Sequence, residues 1–112
     1  MTHSEIIPNQ NSYVRAVISL YIQLPDTPLK PSPYDFLTAS GFFSSQFPLP
    51  TIEAALLLAS LRRLSRNQNL PPLPPVRSLA YFSPVIHELS ASPLPDGYLL
   101  YLRSKLRSFS SS

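Results

Sequence analysis

Seven of the nine basic side chains in this chain of 112 residues fall in its second half: Arg62, Arg63, Arg66, Arg77, Arg103, Lys105 and Arg107. Guanidinium and ammonium groups of this kind suit phosphate oxygens, which they hold by charge-assisted hydrogen bonds that read no base sequence. Residues 1–61 carry two basic and four acidic side chains, and residues 62–112 seven basic and two acidic, so the halves have formal charges of −2 and +5. That split favours a polyanionic partner, DNA or RNA. Tyr81, Phe82, Tyr98 and Tyr101 accompany the cations, a mixture that single-strand grooves use for stacking and backbone neutralisation. The same spacings also pack a helical core, the preferred reading for Phe82 and Tyr98, while Tyr81 and Tyr101 stay open between the two.

A second constellation lies between these cations. The segment NQNLPPLPPV at 67–76 is extended, because consecutive prolines favour polyproline II. Pro72, Pro75 and Arg77 in it match the short pattern that aromatic grooves of proline-reading domains accept, with the arginine orienting the ligand. A linker fixed against its own domain could not dock in this way. The alternative to phosphate contact is therefore a non-enzymatic interaction or structural subunit. Its apolar helices and the Pro-rich 70–77 segment would dock on a larger protein, or its helices on a second copy of the chain.

Catalytic ingredients are poor, and no enzyme is expected. His3 lies in a loose lead-in. His87 is followed by Glu88, but neighbours on a helix point about 100° apart and form no working acid–base pair. Two isolated glycines build no phosphate loop, and the absence of cysteine removes thiolate chemistry and Cys-based zinc sites. No metal and no cofactor are expected.

The composition is 44% hydrophobic and 13% charged, too apolar for a disordered tail and enough for one core. The N-terminal MTHSEIIPNQN has no Lys or Arg and is not expected to be a secretory signal. Tyr13 to Leu24 is apolar but shorter than the roughly 20 residues that span a bilayer. Membrane association is not expected, and the cytoplasm is the default compartment.

These residues would be positioned by helices. The expectation is a single all-α domain over 12–109, of four or five helices with Pro-rich connections, between a loose lead-in (1–11) and a frayed tail (110–112). Its centre is Thr51–Arg66, TIEAALLLASLRRLSR, capped by Thr51 with Glu53 in the first turn and arginines at the carbonyl end. Ala54–Ala59 has no polar residue, so other elements must cover more than one of its faces. Ser12 would cap a first helix running to Leu24, with Val14, Val17, Ile18 and Tyr21 inward and Arg15, Ser19 and Gln23 outward. Ser32 and Pro33 start a second helix, ending near Ser40 with Gly41 as its left-handed closing residue. Helix, turn and longer helix outline a helix-turn-helix with Thr51–Arg66 in the reading position. Its first turns, however, offer only Thr51 and Glu53 to bases, so a plain helical hairpin is preferred. Ser78 starts a helix to about Ser90 that Pro84 kinks or divides at Ser83, one kinked helix being preferred, and Asp96 starts the last, with Leu99, Leu102, Leu106 and Phe109 on one stripe.

LPDTPLKPS at 24–32, the stretch from Gly41 to Ala59, PPLPPVRSLAYFSPVIHEL at 71–89 and PDGYLLYLRSKL at 95–106 together resemble small all-helical bacterial proteins encoded beside mobile-element and replication genes. The resemblance covers about residues 13–107. It implies a setting near nucleic-acid processing and supplies no mechanism. That group has a short Gly-x-Pro-Leu turn before its central helix, where this chain has Gly41 and a longer, phenylalanine-rich stretch before Pro48 and Leu49.

Overall fold

The computed structural model describes residues 9–92 and 94–110, Ser110 by its backbone alone. The fold is all-helical. The described residues form α1 (Gln10–Ile22), α2 (Pro33–Ser44), α3 (Leu49–Leu64), a 3-10 turn (Leu79–Phe82), α4 (Ser83–Ser90) and α5 (Tyr98–Ser110), and include no strand. His3 and the rest of residues 1–8 fall outside them, as do Ser111 and Ser112 of the expected tail.

The middle of the molecule is α3, packed by α5, α4 and α1. Ile52, Ala54, Ala55, Leu56, Leu57, Ala59, Ser60 and Leu61 are buried, so the apolar run is covered on several faces, as its composition requires. The helix starts at Leu49, two residues before the expected Thr51. Pro48 precedes it without a side-chain cap, and Pro50 sits in the first turn, where a proline's missing N–H has no partner to lose and its φ already suits a helix. Thr51 is therefore an interior residue, and no acid lies in the first turn. The other end closes at Leu64, so Arg66 lies beyond the helix.

Asn9, not Ser12, caps α1: its Oδ1 accepts the Ser12 N–H at 2.8 Å, and Gln10 and Asn11 of the expected lead-in are already helical. Val17, Ile18 and Tyr21 are buried, and Arg15, Ser19 and Gln23 face solvent as their spacing predicts.

At the start of α2, Ser32 Oγ accepts the Asp35 N–H at 3.3 Å and Asp35 Oδ2 accepts the Ser32 N–H at 2.9 Å. This capping box closes the first turn reciprocally, the Asp35 N–H also reaching the Ser32 carbonyl at 3.0 Å. The second oxygen of Asp35, a buried carboxylate, accepts the Leu79 N–H at 2.9 Å and ties α2 to the returning chain. The helix does not stop near Ser40. It runs through Gly41 to Ser44, and the left-handed residue after it is Gln46, at φ 64°. The continuation carries Phe42 into the core and sets Phe43 edge-on to Tyr13, ring centroids 5.3 Å apart. Packing of two aromatics outweighs the stop signal of an exposed glycine.

α2 packs chiefly on α1 and the 3-10 turn, not on α3. The consecutive pair α2–α3 thus lacks the mutual packing of a tight helix-turn-helix, and α3 is largely enclosed by other elements. Pro84 divides the expected fourth helix instead of kinking it. A 3-10 turn ends at Phe82 and α4 begins at Ser83, because proline offers no N–H to the preceding turn. Leu79, Phe82 and Ile86 are buried. On α5 Leu102 is buried, Leu99 and Leu106 are half-buried, and Phe109 at the end of the expected stripe is exposed. No helix among the described residues is long and apolar enough to cross a membrane.

Candidate functional site

Arg62 and Arg63 in the last turn of α3, and Arg66 just after it, each bond another part of the same chain. Arg62 makes a two-pronged pair with Glu88 on α4, Nη1 to Oε1 at 3.0 Å and Nη2 to Oε2 at 2.7 Å. Hydrogen bonding to Arg62 holds the Glu88 carboxyl below its ordinary range. The Arg63 side chain is only 10% exposed. Its Nη2 donates to Asp26 Oδ2 and to the Pro74 carbonyl, each at 2.9 Å, its Nη1 donates to the Tyr81 hydroxyl at 3.2 Å, and its guanidinium carbon lies 5.5 Å from the Tyr81 ring centroid. Partial burial opposes its charge, but the Tyr81 and Asp26 hydrogen bonds prevail and raise its pKa. Arg66 donates from Nη2 to the Pro71 carbonyl at 3.2 Å, while its Nε is buried without a partner.

Arg63 and Arg66 therefore staple the proline segment to the body. The backbone adds a third tie, Val76 N–H to the Asp26 carbonyl at 3.0 Å. A cleft of about 470 Å³ lies between strap and helix end, lined by Asp26, Ser60, Arg63, Arg66, Asn67 and Leu73. Leu70, Pro71, Leu73 and Pro74 each precede a proline, which holds them extended, and prolines fix φ at 71, 72, 74 and 75. Such a chain repeats every three residues, so Leu73 and Val76 share one ridge, Pro72 and Pro75 another. Val76 is buried, whereas Pro71, Pro72, Pro74, Pro75 and Arg77 are exposed. The strap is held by buried Val76, by that residue's N–H and by two carbonyls, while the side chains of residues 70–75, Leu73 among them, and of Arg77 are exposed.

The remaining candidate cations lie on α5. Arg103 pairs with Glu53 on the first half of α3, Nε to Oε2 and Nη2 to Oε1, both 2.8 Å. Glu53 and Arg63 are ten residues apart on one helix, about 15 Å along its axis. Arg103 is thus held far from the Arg63–Arg66 staples. Lys105 and Arg107 are exposed. The seven cations do not form one basic face: three sit in carboxylate pairs and two of the seven clamp the strap.

No protein-family model, curated protein or solved structure matches this chain.

His87 is exposed. Its Nδ1 lies 2.9 Å from the Ser83 carbonyl and its ring is edge-on to Phe47 at 5.3 Å, while its neighbour Glu88 turns to Arg62. Among the described residues no three His, Asp or Glu side chains gather to hold a metal ion. Phe82 is buried, Tyr98 half-buried, and the exposed Tyr101 ring stacks on Tyr98 at 6.4 Å and 19°. Tyr81, exposed and left open by the sequence, carries Arg63. The residues that sequence reasoning missed are the acids. Asp26, Asp35, Glu53 and Glu88 each select the partner that decides where a segment or cation sits. Their spacings of 26 to 50 residues from those partners leave no local signal.

Proposed function

We propose that this protein is a non-enzymatic interaction module that presents the Pro72–Pro75 ridge and Arg77 to a protein partner. The observation that carries this reading is the strap's attachment: Arg63, Arg66 and the Asp26 backbone bond it through main-chain groups and leave the Pro72, Pro75 and Arg77 side chains exposed. A polyproline ligand already held in its bound shape has little entropy left to lose on docking. The partner it fits has an aromatic-lined slot for the two prolines and a carboxylate for Arg77. Arg62, Arg63 and Arg103 are engaged with Glu88, Asp26 and Glu53, which takes three of the seven candidate cations into ion pairs within the chain.

The test uses the full chain, labelled for heteronuclear NMR and titrated with an isolated domain whose aromatic groove reads Pro-x-x-Pro-x-Arg peptides. Shifts should concentrate at Leu70–Ser78, and Pro72→Ala, Pro75→Ala and Arg77→Glu should each weaken binding about 10-fold. The reading is overturned if the strap does not respond while the folded protein binds short DNA duplexes. That binding would be salt-sensitive, and Arg77→Ala, Lys105→Ala and Arg107→Ala would weaken it.

A further inference from the structure

The outer surface of α2 makes a separate case, independent of the strap. Its sequence, PYDFLTASGFFS, holds one charged residue, Asp35, and that one is buried. Facing solvent are Tyr34 at 58%, Phe36 at 43% and Leu37 at 70% exposure, with Leu29 at 90% just before the helix. Pro33, Leu37, Gly41 and Ser44 lie along the middle of this face, and Tyr34 and Phe36 flank it. The first half of the face is therefore bulky, and the second, Gly41 and Ser44, is small.

Gly41 has no explanation within the monomer. Its φ is not in the left-handed region, and a Cβ built on it meets nothing within 4 Å. A glycine inside a helix costs roughly 0.5–1 kcal/mol against alanine. The missing side chain makes sense if something approaches from outside.

The geometry points to a second copy of this chain, packed antiparallel through α2. Antiparallel pairing about a two-fold axis between Leu37 and Gly41 sets Leu37 of each copy opposite Gly41 of the other, and Tyr34 opposite Ser44. Each bulky half then meets a small half, twice, which is the self-complementarity an isologous interface needs. Charge agrees. The protein is net positive, yet this face is neutral. Exposed Lys30, ahead of one helix, falls at the partner helix's carbonyl end, whose last turn has no basic residue of its own. At that end also lies an apolar hollow of about 720 Å³ lined by Tyr13, Phe43, Phe47, Pro48 and Leu49, placed to receive the partner's Leu29. A face one helix long, about 18 Å, belongs to the small interface class, so the dimer is weak and reversible.

The experiment is sedimentation equilibrium of the full chain from about 1 µM to about 1 mM, beside Leu37→Lys and Gly41→Arg. Both positions are open in the monomer, so circular dichroism of dilute samples should stay as in the parent, with melting unchanged for Leu37→Lys and slightly raised for Gly41→Arg, which removes a helical glycine. Each change should raise the dimer dissociation constant about 10- to 100-fold. The chain has no cysteine, so Leu37→Cys and Gly41→Cys report the register. Mixed in equal amounts and oxidised gently, they should form chiefly the 37-to-41 crosslink. A parent that stays monomeric throughout, or dimers that survive both charged variants, would overturn the proposal. So would crosslinks that are mainly 37-to-37 and 41-to-41.

Discussion

α3 and α2 are alike in sequence and opposite in circumstance. Both carry apolar residues around most of their circumference, and neither has a continuous polar stripe. α3 is enclosed by three other helices, with Leu56 1% exposed. α2 buries Asp35, Ala39 and Phe42 and leaves Tyr34, Phe36 and Leu37 in solvent. An all-round apolar helix must be covered, but its composition does not say by what. Truncation separates the two most sharply. Leu56→Ala opens a cavity among packed neighbours and should cost about 2–5 kcal/mol in denaturant unfolding. Leu37→Ala should leave the stability of the dilute monomer within about 0.5 kcal/mol of the parent. Equal losses at the two sites would mean that α2's outer face is packed within the monomer after all.

A smaller contrast concerns two neighbours in the arginine run, Arg62 and Arg63. Arg63→Ala withdraws donors from the Pro74 carbonyl and Asp26 and a cation from the Tyr81 ring. The expected cost is about 1–2 kcal/mol, because one partner is a charge but it is half open to water. Faster amide exchange at Val76 should accompany it, since that N–H bonds to the Asp26 carbonyl beside the lost staple. Arg62→Ala removes a pair exposed by about half on both sides and should cost less, with Val76 exchange unchanged. If Arg62→Ala proved the more damaging, the strap would not depend on its arginine staples.

Much of this architecture was legible from local pattern. The apolar run Ala54–Ala59, the outward stripe Arg15, Ser19 and Gln23, and the Ser32–Pro33 start are short-range signals, and the all-helical fold follows from them. Boundaries failed where tertiary packing overrode a local cue: Gly41 reads as a stop until Phe42 and Phe43 are anchored. The functional reading was harder still. Seven cations read as a phosphate surface, and which of them meet acids of the same chain has no local signal. Glu88 lies 26 residues from Arg62, Asp26 37 from Arg63, and Glu53 50 from Arg103. The Pro72, Pro75 and Arg77 pattern was legible, but the way the strap is held was not, because that depends on Arg63 reaching the Pro74 carbonyl.

Acidity probes the α3–α4 clamp. The folded pKa of Glu88 is lowered by Arg62, so its contribution is present above the ordinary carboxylate range and is lost as pH falls through the folded value. Melting temperatures measured through that range should drop more gently for Arg62→Ala than for the parent. At high pH the sign reverses for the tyrosines. Burial pushes Tyr13 and Tyr21 from 10.0 up to about 12, so the stability they confer is full below the ordinary value and is lost as pH climbs toward 12. Ultraviolet titration should show two phenols ionising late, together with the loss of fold.

Those two phenols give the finest comparison, since one braces the α2 side and the other sits against the core. Tyr13 donates to the Phe47 carbonyl at 2.6 Å, tying α1 to the turn that follows α2. The Tyr21 hydroxyl is buried without a partner, its ring edge-on to Phe82 at 6.1 Å. Both hydroxyls were desolvated on folding, but only one gained a bond in return. Tyr13→Phe strips that bond and strands a carbonyl, and should cost about 0.5–1.5 kcal/mol. Tyr21→Phe keeps the ring and removes a group with nothing to lose, so stability should hold or rise slightly, with the late ionisation reduced to a single phenol. A clear loss for Tyr21→Phe in chemical unfolding would show that its hydroxyl is satisfied after all, by an internal water bridging toward buried Asp35, the charge that helps to raise its pKa.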